Sequence, residues 1–277
     1  MGKGQNYLSI TLLISFLLTP HHYGWSQSQE GSLLEQTMLH PMDSFTAYTF
    51  NKNEWTFNFP FTPGWFMWGV TNFMTVELDA EAWLGGVPSI NARFKMWDQK
   101  TILPAAAYET MYQHLPRTIN LISEYEYLNI RRKGDSWFNR INLSWKLLSK
   151  IHIHVSQGVT YSEKLEFDNG ERSDFQKVFH EDLFEPDLSI GLGWRAKDWV
   201  SFHSTYSEGV TFIYVDNVPR KTQYTLGARF APFINKSKRY LRNLRIELTY
   251  LSFSFSDVDE TVTGPMGYLY WQWQAGS

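Results

Sequence analysis

The chain has 277 residues, a formal net charge of −3 and no cysteine. This even charge balance lacks the basic field of a nucleic-acid-binding protein, and a chain without cysteine forms no disulfide and carries no thiol-linked lipid. Beyond the N-terminus, charges interrupt every apolar run before it reaches about 18 residues, which excludes a helical membrane protein. Aromatic residues make up 17% of the sequence although the mean hydropathy is −0.35. This combination is typical of strands with one lipid-facing and one water-facing side.

The first 26 residues have the pattern of a secretory signal peptide. An apolar run from Tyr7 to Leu18 precedes Gly24 and Ser26, the small residues that signal peptidase requires before its cleavage site. We therefore expect export and cleavage near Ser26. Residues 27–43 are expected to form a short periplasmic extension with an amphipathic helix, and we favour a simple tail over a plug for this segment.

From residue 44 onward, apolar and polar residues alternate in repeated segments, as they do along transmembrane strands. In 187–195, large apolar residues occupy every second position and small or polar residues stand between them. Similar alternation marks these candidate strands: 44–50, 54–69, 73–83, 89–97, 102–112, 118–128, 137–147, 151–161, 187–195, 199–213, 222–231, 243–255 and 268–274.

A single-chain bacterial barrel has an even number of strands, with short turns on the periplasmic side and long loops outside. Two assignments of about twelve strands satisfy these conditions, with 162–186 as an outer loop and Ser149 in an inner turn. Excluding 44–50 makes Thr71 and Asn72 an outer turn, whereas excluding 102–112 makes them an inner turn. The sequence leaves both assignments open, and about ten strands is a further alternative.

Short motifs at both ends of the chain support this fold. They are Thr46–Phe50, Trp68–Asn72, Val87–Asn91 and the aromatic final segment Gly267–Trp273. With them, the chain resembles the class of outer-membrane β-barrels of Gram-negative bacteria over residues 44–274. The resemblance implies an all-β fold in which 44–277 form a single antiparallel up-and-down barrel in the cell outer membrane. It implies outer-membrane lipids and the barrel-assembly machinery as partners, and neither a cofactor nor a nucleic acid.

Charged residues within the candidate strands predict which face lines the lumen. A Lys or Arg on the lipid face near the midplane would cost about 2 to 4 kcal/mol, so charges should point inward. We predict these lumen-facing residues: Glu77, Asp79, Arg93, Lys95, Glu124, Glu126, Arg140, Lys146, Arg195, Arg229, Arg245 and Glu247. Both signs are present, which fits a charged channel and a paired polar core filling a narrow barrel equally well.

Tryptophan residues predict where the barrel meets the membrane interfaces. An aromatic girdle explains them better than a sugar-stacking platform. The predicted girdle residues are Trp55, Trp65, Trp68, Trp83, Trp97, Trp194, Trp271 and Trp273.

Histidine residues raise two alternatives that we consider weaker. His152 and His154 share an inward face and could bind a metal, but no third ligand is identifiable, so we expect hydrated lumen histidines and no metal site. His203 and Ser207 share a face of another strand and are the residue types that a lipid esterase would use, but the lipase-type His-x-Ser-Asn-Gly pattern is absent. We predict no catalytic residue.

The sequence thus favours a non-enzymatic outer-membrane barrel with a narrow or closed pore, in a porin-like transport role or a structural or binding role. One alternative is an outer-membrane lipid esterase or deacylase. The other is a secreted β-sandwich that binds carbohydrate. No solute or ligand is identified by the sequence.

Overall fold

The computed structural model describes residues 45–58, 65–79, 83, 88–115, 130–131, 134–162, 165–166, 168–169, 179–180, 183–209, 220–255 and 261–273. Twelve strands in this part of the chain form one sheet. They are β1 (Trp55–Asn58), β2 (Trp65–Thr71), β3 (Met74–Asp79), β4 (Ser89–Trp97), β5 (Ala105–Leu115), β6 (Gly134–Leu147), β7 (Ile151–Ser162), β8 (Leu183–Lys197), β9 (Val200–Glu208), β10 (Arg220–Phe230), β11 (Leu244–Phe255) and β12 (Thr261–Trp273). The two-residue strands Ile130–Arg131, Leu165–Glu166, Asp168–Asn169 and Phe179–His180 pair outside this sheet.

The sheet closes on itself to form a barrel. Each strand is antiparallel to its neighbour along the chain, and β1 pairs with β12 to close the ring. The prediction of an all-β, antiparallel up-and-down barrel of about twelve strands is therefore confirmed.

The described strands differ from the predicted set in two places. Residues 45–50 form no strand, whereas the single predicted strand 54–69 is two strands, β1 and β2. Pro60 and Pro63 explain the division, because proline cannot donate a hydrogen bond to a sheet ladder. The predicted strand 118–128 lies outside the described residues, and β5 pairs directly with β6.

Short turns collect at one end of the barrel, which we call the short-turn end. They are 72–73, 98–104, 148–150, 198–199 and 231–243. The opposite end, which we call the loop end, carries the connection between β7 and β8. The assignment that excludes 44–50 placed Thr71 and Asn72 at the loop end, and this was wrong. The assignment that excludes 102–112 placed this turn correctly, but it was wrong to exclude the segment, because β5 spans Ala105–Leu115. Because 54–69 contains two strands, Thr71 and Asn72 follow the second strand of the ring and lie at the short-turn end.

The longest short-turn connection, 231–243, contains the helix α1 (Arg239–Arg242). The Arg239 guanidinium lies 5.1 Å from the centroid of the Trp273 ring at the end of β12. This contact ties the connection to the barrel rim.

No α-helix in the described part of the chain has the length and apolar composition that a bilayer span requires.

The barrel is apolar outside and polar inside. On β10 and β11, Leu226 and Leu248 point outward and are 52% and 58% exposed, whereas Thr225 and Glu247 point inward and are fully buried. A water-soluble protein would bury the leucines and expose the glutamate. The observed inversion is the arrangement of a barrel whose outer surface contacts lipid.

Candidate functional site in the barrel lumen

Residues 45–50, which we call the plug segment, lie inside the barrel. All six side chains are buried, although none of these residues belongs to a strand. The backbone N–H of Ala47 donates to Ser144 Oγ of β6 at 2.8 Å, and the N–H of Phe50 donates to Thr75 Oγ1 of β3 at 2.8 Å. The plug segment thus satisfies its backbone polar groups with side chains of the barrel wall instead of a strand ladder.

Tyr48 makes the central contacts of the plug segment. Its carbonyl oxygen accepts a hydrogen bond from Arg93 Nη1 of β4 at 3.4 Å, and its hydroxyl lies 3.1 Å from His152 Nδ1 of β7. Its ring meets His152 and His154 edge-on, with centroids 5.7 and 5.6 Å apart. The expectation of hydrated lumen histidines was wrong, because Tyr48 covers both rings and leaves them buried.

The plug segment leaves the lumen close to β2. The N–H of Asn53 donates to Gly69 O, and the N–H of Gly69 donates to Glu54 O, both at 2.8 Å. The plug segment and β2 approach so closely that a Cβ at residue 69 would lie 2.1 Å from Asn51 O and 2.9 Å from Phe50 Cβ. Glycine is therefore required at this position for the plug segment to pass.

An apolar cluster surrounds the plug segment near the short-turn end. Its buried members come from the plug segment and from β2, β5 and β12: Ala47, Tyr48, Phe50, Met67, Ala105, Ala107 and Tyr270. The two alanines of β5 are small enough to leave room for the segment. The plug segment supplies three of these seven residues, so the apolar core depends on its position inside the barrel.

Glu109 of β5 is the centre of the first charge cluster in the lumen. It accepts hydrogen bonds from Arg93 Nη2 at 3.1 Å and from the side-chain amides of Asn91 and Asn142 at 2.6 Å each. Arg93 and Glu109 are both buried. A buried carboxylate is stable only when it is paired and hydrogen-bonded in this way.

Arg140 and Asp187 form a second buried pair, in which Arg140 Nε donates to Asp187 Oδ1 at 2.8 Å. The guanidinium of Arg140 lies 3.7 Å from the centroid of the Phe45 ring. A cation stacked on a desolvated aromatic face gains further stabilisation. The plug segment therefore contacts the arginine of this pair as well as Arg93.

Glu247 of β11 is the centre of a third cluster, on the other side of the barrel. It accepts hydrogen bonds from Arg229 Nε at 3.1 Å, Tyr270 Oη at 3.0 Å and Thr249 Oγ1 at 2.9 Å. His203 Nε2 of β9 lies 3.6 Å from its Oε1. The imidazole reaches Glu247 by crossing Gly227 of β10, where a Cβ would lie 2.4 Å from the ring.

The structure places most of the predicted lumen residues on the inner wall. Buried there are Glu77, Arg93, Arg140, Arg229, Arg245 and Glu247. Partly exposed near the short-turn end are Lys95, Lys146 and Arg195. The side chain of Asp79 and the residues Glu124 and Glu126 lie outside the described part of the chain.

Sequence reasoning missed two carboxylates that the lumen clusters require, Glu109 and Asp187. Both could have been found from the alternation. Asp187 lies two residues before Ser189, which points inward on the same strand. Glu109 lies two residues before Met111, which points inward on its strand. Their arginine partners were predicted as lumen residues, so the missing signal was charge balance across neighbouring strands.

The predicted girdle residues lie outside the core. Exposed on the barrel surface are Trp68, Trp83, Trp97 and Trp194. Trp55 and Trp273 stack across the seam between β1 and β12, with ring centroids 5.2 Å apart. Trp271 is partly exposed, and the side chain of Trp65 lies outside the described part.

The esterase alternative requires the Ser207 hydroxyl and the His203 imidazole to lie close together, and the structure does not bring them together. Ser207 Oγ donates to Ser189 Oγ at 3.0 Å, while His203 is directed towards Glu247. The two residues are four positions apart on β9, which corresponds to about 13 Å along a strand. Within the described ranges, no group of three His, Asp or Glu side chains is arranged to hold a metal ion.

No family model matches the sequence, and no curated protein matches it either. Among solved structures, the chain is similar to Acinetobacter baumannii OccAB4, with 11% identity and a TM-score of 0.33. The similarity covers 83% of this chain and 56% of that structure, so the chain spans little more than half its length. The closed ring with its apolar exterior and polar interior is the architecture of the outer-membrane β-barrel class that the sequence resembles.

Proposed function

We propose that this protein is a non-enzymatic outer-membrane barrel of the porin-like kind whose lumen is closed by its own plug segment. The observation that carries this proposal is the position of residues 45–50, which are buried within the ring and hydrogen-bonded to four strands, β3, β4, β6 and β7. The protein then acts as a closed or gated barrel and not as a steadily open channel.

The size of the barrel supports closure. Barrels of about eight strands are filled by side chains, whereas open aqueous pores are typical of about 16 to 18 strands. Twelve strands enclose an intermediate lumen. The plug segment and the paired charges of Glu109, Asp187 and Glu247 occupy this space.

Location in the outer membrane, with the short-turn end in the periplasm, belongs to the same proposal. The signal-peptide pattern supports export, and the belt of exposed apolar residues supports insertion into lipid. Cleavage near Ser26 would leave the plug segment close to the new N-terminus. A segment near a chain end can be threaded into a lumen without a second crossing of the wall.

A lipid esterase is the less favoured function because His203 is buried and faces Glu247, while Ser207 bonds to Ser189. A nucleophile needs its base within hydrogen-bond reach.

Conductance in planar bilayers tests the proposal. We expect the unmodified protein to give no steady current, and Gly69→Val to give stable open steps, because the added side chain displaces the plug segment at Asn51. Gly191→Ala is the matched control, since its Cβ would meet nothing closer than 3.5 Å.

A second variant avoids any change in the wall. Tyr48→Ala combined with Phe50→Ala alters only the plug segment and should open the same pore. Mobility of unboiled samples on a gel verifies that each variant is a folded barrel. Steady porin-like current from the unmodified protein, or silence of both variants when folded, would contradict closure by the plug segment.

A further inference from the structure

The short-turn end of the barrel carries an excess of positive charge on its surface. The connections that join β4 to β5, β6 to β7, β8 to β9 and β10 to β11, with the residues that flank them, contain these exposed basic residues: Lys100, Lys150, Lys197, Lys236, Lys238 and Arg239. We call these six residues the basic collar. In the same connections, all of which the structure describes, the exposed acidic residues are Asp98 and Asp198. Each is paired with a lumen residue, Asp98 with Lys95 at 3.1 Å and Asp198 with Arg195 at 3.4 Å.

The basic collar does not reflect a basic protein. The whole chain has a formal net charge of −3. The connection between β7 and β8 at the loop end contains seven acidic and three basic residues over 163–182. Positive charge is therefore concentrated at the short-turn end, where a partner of opposite charge would be attracted.

Neighbouring connections of the collar are joined by hydrogen bonds. Lys150 Nζ donates to Ala196 O at 3.4 Å, which links the β6–β7 turn to the β8–β9 turn. The N–H of Ala231 donates to Trp199 O at 2.8 Å, which links the β8–β9 turn to the β10–β11 connection. The collar is thus a continuous arc along the barrel rim.

Tryptophan side chains hold the β4–β5 connection on the outer side of the wall. Trp97 Nε1 donates to Pro104 O at 2.9 Å, and Trp145 Nε1 donates to Ile102 O at 3.2 Å. Trp97 is exposed, and Trp145 alternates with the buried Ser144 and so points outward. The connection therefore folds over the outer surface of the barrel, next to its apolar belt.

Two members of the collar lie against tryptophan rings of the same rim. The Arg239 guanidinium is 5.1 Å from the centroid of the Trp273 ring, and Lys197 Nζ is 5.8 Å from that of the Trp199 ring. Tryptophan at a barrel rim occupies the boundary between acyl chains and headgroups. A cation beside such a ring stands at the depth of the lipid phosphates.

Large apolar side chains accompany the collar in its connections. Ile102, Leu148 and Tyr240 are 84%, 78% and 54% exposed, and each lies within two residues of a member of the collar. Leu148 also has a φ of 56°, a left-handed conformation that is uncommon for residues other than glycine. Side chains of this kind gain nothing in water but are stabilised when they insert at a membrane surface.

We propose that the basic collar binds phospholipids with a net negative headgroup, such as phosphatidylglycerol, in the leaflet that surrounds the short-turn end. The basic groups contact the phosphodiester, while Ile102, Leu148 and Tyr240 insert among the glycerol and upper acyl carbons. This inference rests on the proposed membrane location, but it does not depend on closure of the lumen by the plug segment.

Selectivity for boundary lipid tests the proposal. The protein is reconstituted in phosphatidylcholine vesicles that contain a trace of spin-labelled phosphatidylglycerol or spin-labelled phosphatidylcholine, and electron paramagnetic resonance gives the fraction of each that the barrel immobilises. We expect a preference of about threefold for phosphatidylglycerol, because basic residues at a membrane surface attract anionic headgroups. The preference should fall in about 1 M salt, which screens surface charges.

Equal immobilisation of the two lipids would overturn the basic collar alone. Immobilisation of neither would contradict the membrane location and the collar with it. Millimolar inorganic phosphate at constant ionic strength should leave the preference unchanged, since a free ion lacks acyl chains for the apolar side chains of the connections. Displacement of phosphatidylglycerol by phosphate would mean a site for a soluble anion and would also overturn the proposal.

Substitutions at exposed positions connect the preference to the collar. A triple variant should bring the two lipids close to equal: Lys150→Gln, Lys197→Gln and Lys238→Gln. Two single changes form a matched pair around one turn. Lys150→Gln should lower the preference, whereas Lys146→Gln, on the lumen face of β6, should not. Gel mobility of unboiled samples verifies folding, and a preference that survives the triple variant in a folded barrel would contradict the assignment.

The depth of the β6–β7 turn gives an independent outcome, and the absence of cysteine makes single labelling sites simple. A small fluorophore at Leu148→Cys should be quenched by lipids that carry a doxyl group close to the headgroup. The same label at Lys146→Cys should be quenched by aqueous iodide instead. If the label at 148 also responds to iodide and not to doxyl lipid, the turn stands in water, the collar faces a soluble acidic partner, and the lipid proposal is overturned.

Discussion

Buried ion pairs lie on two sides of the lumen, and the two sides differ in how these pairs contact the plug segment. On the β4–β8 side, which we call the plug-side wall, the arginines of both ion pairs also contact the plug segment, through Tyr48 O and the Phe45 ring. On the β9–β12 side, which we call the far wall, Glu247 accepts hydrogen bonds from the strand residues Arg229, Thr249 and Tyr270. Tyr270 also belongs to the apolar cluster around the plug segment. The ion-pair arginines of the plug-side wall therefore contact the plug segment themselves, whereas the Glu247 cluster of the far wall is linked to it through Tyr270.

The two walls also differ in the hydrogen bonds that their buried carboxylates accept. On the far wall, Arg229 and the hydroxyls of Thr249 and Tyr270 share one carboxylate, that of Glu247. On the plug-side wall, Asp187 receives a single donor from Arg140, and no described side chain donates to its second oxygen. Asp187 thus has fewer donors than Glu247, and the Phe45 ring of the plug segment covers its partner Arg140.

The largest expected effect comes from removing one arginine from each wall. Arg140→Ala should lower the free energy of unfolding by about 3 to 5 kcal/mol, because it leaves Asp187 buried and unpaired. Arg229→Ala should cost less, since Glu247 keeps the hydroxyls of Tyr270 and Thr249. Urea unfolding in lipid vesicles measures both.

Conductance measurements on the same two variants test their coupling to the plug segment. Arg140→Ala also removes the contact between the Arg140 guanidinium and the Phe45 ring. We expect Arg140→Ala to raise leak current and Arg229→Ala to leave it unchanged. Equal losses of stability, with leak in both variants, would mean that the two walls do not differ in their coupling to the plug segment.

An intermediate effect is expected on the far wall from Gly227→Ala. The new methyl group would meet the His203 ring at 2.4 Å, and overpacking of this kind costs about 1 to 3 kcal/mol. Thermal unfolding followed by gel mobility measures the loss. Gly191→Ala, with no contact below 3.5 Å, should be nearly neutral, and a loss as large as that of Gly227→Ala would refute the steric explanation.

The smallest expected effect concerns one hydroxyl of the plug segment. Tyr48→Phe removes the hydrogen bond to His152 and should cost about 1 kcal/mol, the usual net value of such a bond. Tyr250→Phe, on the exposed face of β11, should change nothing measurable. If Tyr48→Phe is as silent as Tyr250→Phe in both unfolding and conductance, the hydroxyl contributes nothing to holding the plug segment.

Much of the barrel could be predicted from the sequence because a strand alternates with a period of two residues. This period separates Leu188 from Ser189 and Leu226 from Thr225, and burial in the structure divides them in the same way. The same alternation places Glu109 and Asp187 on the inward face. They were missed because their arginine partners on neighbouring strands were not considered together with them.

The sequence by itself thus determined the all-β character of the chain and the inward direction of the predicted lumen residues that the structure describes. Only the tertiary structure decided the place of residues 45–50. An extended segment alternates in the same way whether it pairs in a wall or crosses a lumen, because the period belongs to the extended backbone and not to its neighbours. Gly69, Ser144 and His152 make room or provide hydrogen bonds for this segment, and they come together only when the ring closes.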